Sequence, residues 1–162
     1  MKIVFLDRMT MGNDIKVEDF FDEYDFEYYE LTRKEEINER IREADVVITN
    51  KVVIGKAEME AAKRLKLICL AATGYNNIDI KAAKEMGICV ANVADYSTDA
   101  VAQTVWTYIL EFSISLRQYS NGVKNGKWSM SPIFTMLDYP LYELRGRKLG
   151  IIGYGKIGRR VA

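Results

Sequence analysis

The sequence predicts an α/β protein built on a doubly wound, parallel, five-stranded sheet. Apolar strand-like runs alternate with helical patterns from the first residue, the fourth run is apolar throughout, and helix-length segments separate the later runs. Parallel neighbours need such crossovers, whereas antiparallel neighbours can be joined by a tight turn.

Lys2 to Leu6 reads as the first strand, Val17 to Glu23 as weakly helical, and Glu27 to Leu31 as an aromatic-rich second strand. Thr32 to Glu35 spells T-x-x-E, a capping box expected to start a helix with Ile37, Ile41 and Ala44 on one face. Val46 to Thr49 is the third strand and Lys56 to Arg64 the next helix. Lys66 to Ala71 is expected to be buried on both faces, because it shows no polar alternation. Asp79 can cap a short helix that Gly87 closes, and Ile88 to Val93 is the fifth strand.

Ser97 or Thr98 starts the longest helix, expected to reach about Ser120. Val101, Val105, Phe112 and Leu116 form its apolar stripe, and Trp106, Ile109 and Leu110 widen it, so the helix should be covered on most sides. After Asn121 and Gly122 comes a connector holding both prolines, which delivers the chain to a sixth strand at Lys148 to Ile152.

Composition excludes several function classes. The 162 residues carry 23 Lys plus Arg and 23 Asp plus Glu, so no net field favours nucleic acid or an anionic membrane. The charge run from Arg33 to Glu43 mixes signs at helical spacing, as a solvated face does. Ala100 to Leu116 is apolar but shorter than the ~20 residues of a membrane span, and it carries Gln103 and Glu111. Cys69 and Cys89 sit in apolar runs and read as small buried hydrophobes of a reducing compartment. The N-terminal MKIVFLD lacks the features of a secretory signal, and a cytoplasmic location is expected.

Three places carry candidate chemistry. Gly153, Tyr154, Gly155, Lys156, Ile157 and Gly158 spell G-x-G-x-x-G after an apolar run. In a dinucleotide site the three glycines allow a tight turn, backbone approach to a pyrophosphate, and close helix packing; the alternative is an ordinary glycine loop. Thr73 and Gly74 leave the fourth strand at its carboxyl end, where consecutive amides could hold a carboxylate. A plain strand-to-helix turn is the equal alternative. Asn50 and Lys51 leave the third strand at the same edge, Lys51 being either a positive charge for a ligand or a solvated loop lysine. The sequence contains no histidine, the usual proton donor for carbonyl reduction, and shows no metal-ligand cluster or nucleophile motif.

Taken together, ATGYNNIDIKAAKEMGICVANVADYSTDAVAQTVWTYILE and GRKLGIIGYGKIGRRVA resemble the D-isomer-specific 2-hydroxyacid dehydrogenases. NGKWSMSPIF and DYPLYELRGRKLGIIGYGKIG look most like the glycerate dehydrogenase (hydroxypyruvate reductase) branch. The resemblance implies a flavodoxin-like substrate domain over residues 1–97, a crossover helix and dimerisation arm over 98–145, and the first strand and glycine turn of a Rossmann NAD-binding domain over 146–162. It assigns backbone recognition of the substrate carboxylate to Thr73 and Gly74, with Asn50 and Lys51 close by. Thr104 would face the nicotinamide side, and residues 153–158 would lie along the pyrophosphate of NAD.

In the family the glycine fingerprint lies near the middle, so the resemblance implies roughly the first half of such an enzyme; the family's arginine, glutamate and histidine fall downstream, and no catalytic residue in this chain and no hydride transfer by it alone are expected. Its partners would be a small 2-oxo or 2-hydroxy acid and further copies of itself, as a homodimer or higher oligomer; a disordered tail after about Asn121 is the alternative. Two departures stand out: the usual N-V-P-G-Y is Asn92-Val93-Ala94-Asp95-Tyr96, and Gln103 stands where many members have an acid. A non-catalytic flavodoxin-like binding or interaction module is the rival reading.

Overall fold

The computed structural model describes residues 1–12 and 14–162. The chain forms two compact units, Met1–Ala94 and Asp95–Ala162.

The first unit is a five-stranded sheet of β1 (Lys2–Phe5), β2 (Asp25–Tyr28), β3 (Val46–Thr49), β4 (Leu67–Leu70) and β5 (Cys89–Asn92), in the order β2-β1-β3-β4-β5. Every pairing is parallel. Helices α1 (Ile37–Ile41), α2 (Lys56–Ala61) and α3 (Ile80–Glu85) supply the later crossovers. The β1-to-β2 connection instead uses short 3-10 turns at Arg8–Met11 and Val17–Phe20.

The side-chain period of two divides the sheet into unequal faces. Val4, Val47, Ile68 and Leu70 join Ile37, Ile41, Met59, Ala82 and Ala83 in one buried cluster, so α1 to α3 lie on a single face. On the opposite face, Phe21 stacks on Phe26 at a centroid distance of 4.5 Å, and Phe26 is in register with the buried Ile3. The first crossover therefore runs over that face, as right-handed connections on the two sides of β1 require.

The expectation that the fourth strand is buried on both faces is corrected. Ile68 and Leu70 are buried, but Leu67 and Cys69 are only half-buried. Their face continues into Cys89 and Ala91, which are exposed, because no helix of this unit lies over that half of the sheet among the described residues. Cys89 is therefore not a buried hydrophobe. Both thiols are free, and burial pushes the Cys69 thiol above its usual pKa.

The first capping motif is also shifted by one residue. The Thr32 hydroxyl donates to the Leu6 carbonyl, and Glu36 rather than Glu35 reaches back, accepting from the Arg33 amide at 2.7 Å. Asp79 caps α3 as expected, accepting from the Ala82 amide at 2.9 Å.

The second unit holds α4 (Thr98–Ile114), α5 (Leu116–Lys124) and α6 (Lys156–Val161). The single helix expected to reach Ser120 is broken at Ser115, whose φ of 50° and ψ of 40° are left-handed. Tertiary hydrogen bonds hold the break: Ser115 Oγ donates to the Pro140 carbonyl at 3.1 Å, and the Tyr142 amide to the Ser113 carbonyl at 2.7 Å. Nor is α4 covered on most sides: Ala102 and Ser113 are buried, whereas Phe112 remains 79% exposed. The strand expected at Lys148–Ile152 does not form, because a strand needs a ladder partner and none pairs with it among the described residues. No helix is long and apolar enough to cross a membrane among the described residues.

Candidate functional site

In the first unit the candidate residues gather at the carboxyl edge of β3 and β4. The Ala71 amide donates to the Thr49 carbonyl at 2.9 Å, which sets Asn50–Lys51 and Thr73–Gly74 side by side, just beyond the last rung of the ladder. Parallel sheets bind ligands at this edge because their loops diverge there.

The loop after β4 is shaped by polar contacts that leave its tip amides free. Thr73 Oγ1 donates to the Val93 carbonyl at 2.8 Å, and Asn92 Nδ2 donates to the Thr73 carbonyl at 2.7 Å. Among the described residues, the N–H groups of Thr73 and Gly74 donate to no protein acceptor, and both residues are exposed. Gly74 is not in the left-handed region, so the turn does not use glycine's special freedom. The site has two outward-facing donors of the kind a carboxylate accepts from.

The loop after β3 is different, because its amides are already occupied. Asp7, which follows β1 and is 2% exposed, accepts from the Asn50, Lys51 and Val52 amides and from the Thr49 hydroxyl. Lys51 is exposed and makes no ion pair among the described residues, leaving its ammonium group open to solvent. Sequence reading missed Asp7; its only signal was an acid ending the apolar run KIVFL. No group of three or more His, Cys, Asp or Glu side chains could hold a metal among the described residues.

In the second unit, residues 153–158 form a turn leading into α6. Gly153 has φ of +90°, and a Cβ on Gly158 would stand 2.3 Å from the Gly153 carbonyl oxygen, so neither position accepts another residue without strain. Gly155, the N-cap of α6, faces open space and supplies no side chain to the first-turn amides. The first and third glycines build the turn and the second leaves backbone exposed, so these residues fit a phosphate group approaching the middle of the turn.

Thr104 on α4 is exposed, and its hydroxyl turns back to the Ala100 carbonyl at 2.9 Å. Asp95, standing where a glycine was expected, adopts that residue's left-handed backbone at φ 63° and pairs with Lys156.

The chain belongs to the D-isomer-specific 2-hydroxyacid dehydrogenases, whose catalytic-domain profile matches residues 3–148. It is 38% identical over 162 residues to the glycerate dehydrogenase of Methylorubrum extorquens, covering 99% of this chain and 51% of that protein. It is 41% identical over 129 residues to the hydroxypyruvate reductase of Blautia hydrogenotrophica, covering 80% of this chain and 40% of that one. Among solved structures, an acyclic imino acid reductase in complex with NADPH and D-Arg superposes with a TM-score of 0.77 at 28% identity, over 99% of this chain and 51% of that one. The chain spans about half the length of such relatives.

Proposed function

We propose that these residues are the substrate-side half of an NAD-dependent D-2-hydroxyacid dehydrogenase acting on hydroxypyruvate and glycerate or a close analogue. The observation that carries this reading is that, among the described residues, the Thr73 and Gly74 amides donate to no protein acceptor and the exposed Lys51, in the loop leaving the neighbouring strand, makes no ion pair. These amides hold the substrate carboxylate, while the side chains of Asn50 and Lys51 border the rest of the molecule. The backbone of Gly153 to Gly158 holds the pyrophosphate of the cofactor, and Thr104 stands on its nicotinamide side.

A bound nicotinamide would supply or accept the hydride. Reducing a 2-oxo acid also consumes a proton, and this chain has no histidine to deliver it. The 162 residues alone therefore bind without turnover. Titration with hydroxypyruvate should shift the Thr73 and Gly74 amide resonances, with no oxidation of NADH. Robust NADH oxidation by the purified chain, or silence at both amides, would overturn the reading.

The expected state is a homodimer or higher oligomer in the cytoplasm: Phe112, Met130, Phe134 and Leu137 of the second unit are exposed apolar side chains of the kind a second copy covers. Sedimentation at micromolar concentration tests this, and a monomer would refute it. The absence of histidine also favours a second reading, a binding module without chemistry; an in-frame coding segment after Ala162 that supplies arginine, glutamate and histidine would exclude it.

A further inference from the structure

Two neighbouring loops leave the same sheet edge; the amides of Asn50, Lys51 and Val52 in one are occupied, whereas those of Thr73 and Gly74 in the other donate to no protein acceptor among the described residues. In the loop after β3, Asp7 Oδ2 accepts from the Lys51 amide at 2.6 Å, the Asn50 amide at 3.1 Å and the Val52 amide at 3.3 Å, the last of which also donates to Thr49 Oγ1 at 3.0 Å. Its Oδ1 accepts from the Asn50 amide at 2.9 Å, and Oδ2 also meets the Thr49 hydroxyl at 3.2 Å. Successive amides converging on one point form a nest, a concavity that ordinarily captures a free anion. A buried carboxylate is costly without donors, and these donors would be costly without an acceptor. Each side of the contact explains the other.

We infer that Asp7 is a positioning residue: the built-in anion of a nest at residues 50–52, which fixes the loop and closes its amides to any ligand. Two consequences follow, the second resting on the proposed 2-oxo acid site. The loop's shape depends on one carboxylate contributed by the segment just after β1, more than forty residues away in sequence. A substrate carboxylate is directed to Thr73 and Gly74, and the β3 loop contributes only the side chains of Asn50 and Lys51, which contact the substrate's other end.

Chemical rescue tests the nest. Asp7→Gly empties it and should lower the melting temperature by about 10 °C. About 200 mM formate should restore at least half of that loss while barely moving the wild type, because a ligand that binds only the folded state stabilises it. Failure of formate to outperform chloride would overturn the inference.

If Asp7→Gly does not fold, hydrogen exchange on the wild type decides the matter. The amides of residues 50–52 should exchange on the order of 100-fold more slowly than those of Thr73 and Gly74, and equal rates would overturn the inference. Titrating the wild type with hydroxypyruvate separates the two readings. Shifts at Thr73 and Gly74 support the substrate reading and silence at both amides removes it; the nest is judged by the rescue and exchange results alone.

Discussion

Trp106 donates its indole N–H to the carbonyl of Val161 at 3.1 Å, joining the middle of α4 to the last turn of α6. The contact therefore ties α6 to α4 within the second unit.

Trp106→Phe keeps most of the apolar contact and removes the donor. It should cost about 1 kcal/mol in the second unit. Faster hydrogen exchange at α6 amides, with the sheet unaffected, is the expected readout.

The three glycines of the turn should separate by role. Gly158→Ala drives a methyl group into the Gly153 carbonyl and should destabilise the turn by about 1–3 kcal/mol. Gly155→Ala meets no protein atom within 4 Å and should leave the melting temperature nearly unchanged. It should nevertheless weaken NADH binding, measured by nicotinamide fluorescence, if that face receives phosphate.

One-sided burial of the sheet predicts unequal costs along β4. Ile68→Ala removes a fully buried side chain and should cost about 2–5 kcal/mol, whereas Leu67→Ala on the open face should cost under about 1.5 kcal/mol. Paired urea melts measure the difference directly.

Asp45 predicts acid sensitivity. The Lys2 amide, donating at 2.7 Å, and then the Arg64 guanidinium hold its carboxyl below the usual aspartate range. The folded state thus binds this proton more weakly than the unfolded state. The contribution is complete above about pH 4 and is lost as the pH falls through the lowered native value. Asp45→Asn should flatten the stability profile in that acid window and change it little in shape near pH 7.

What the sequence disclosed was local. Val46–Thr49 has its expected bounds because an apolar run between polar segments settles its own limits, and Asp79 finds its donor three residues away. What it concealed depends on distant partners. The break at Ser115 is held by Pro140 and Tyr142, and no strand pairs with residues 148–152 among the described residues. Thr73 and Gly74 were legible as a loop at the right edge, but their free amides were not. Asp7 was invisible because its donors lie 42 to 45 residues further along.

The strand order β2-β1-β3-β4-β5 has a consequence for synthesis on the ribosome. Emerging in sequence, β2 docks on one side of β1 and β3 on the other; β4 then joins β3, and β5 joins β4. No arriving strand must wedge between two already paired, so the sheet can grow outward at the pace of translation, without dismantling what has formed.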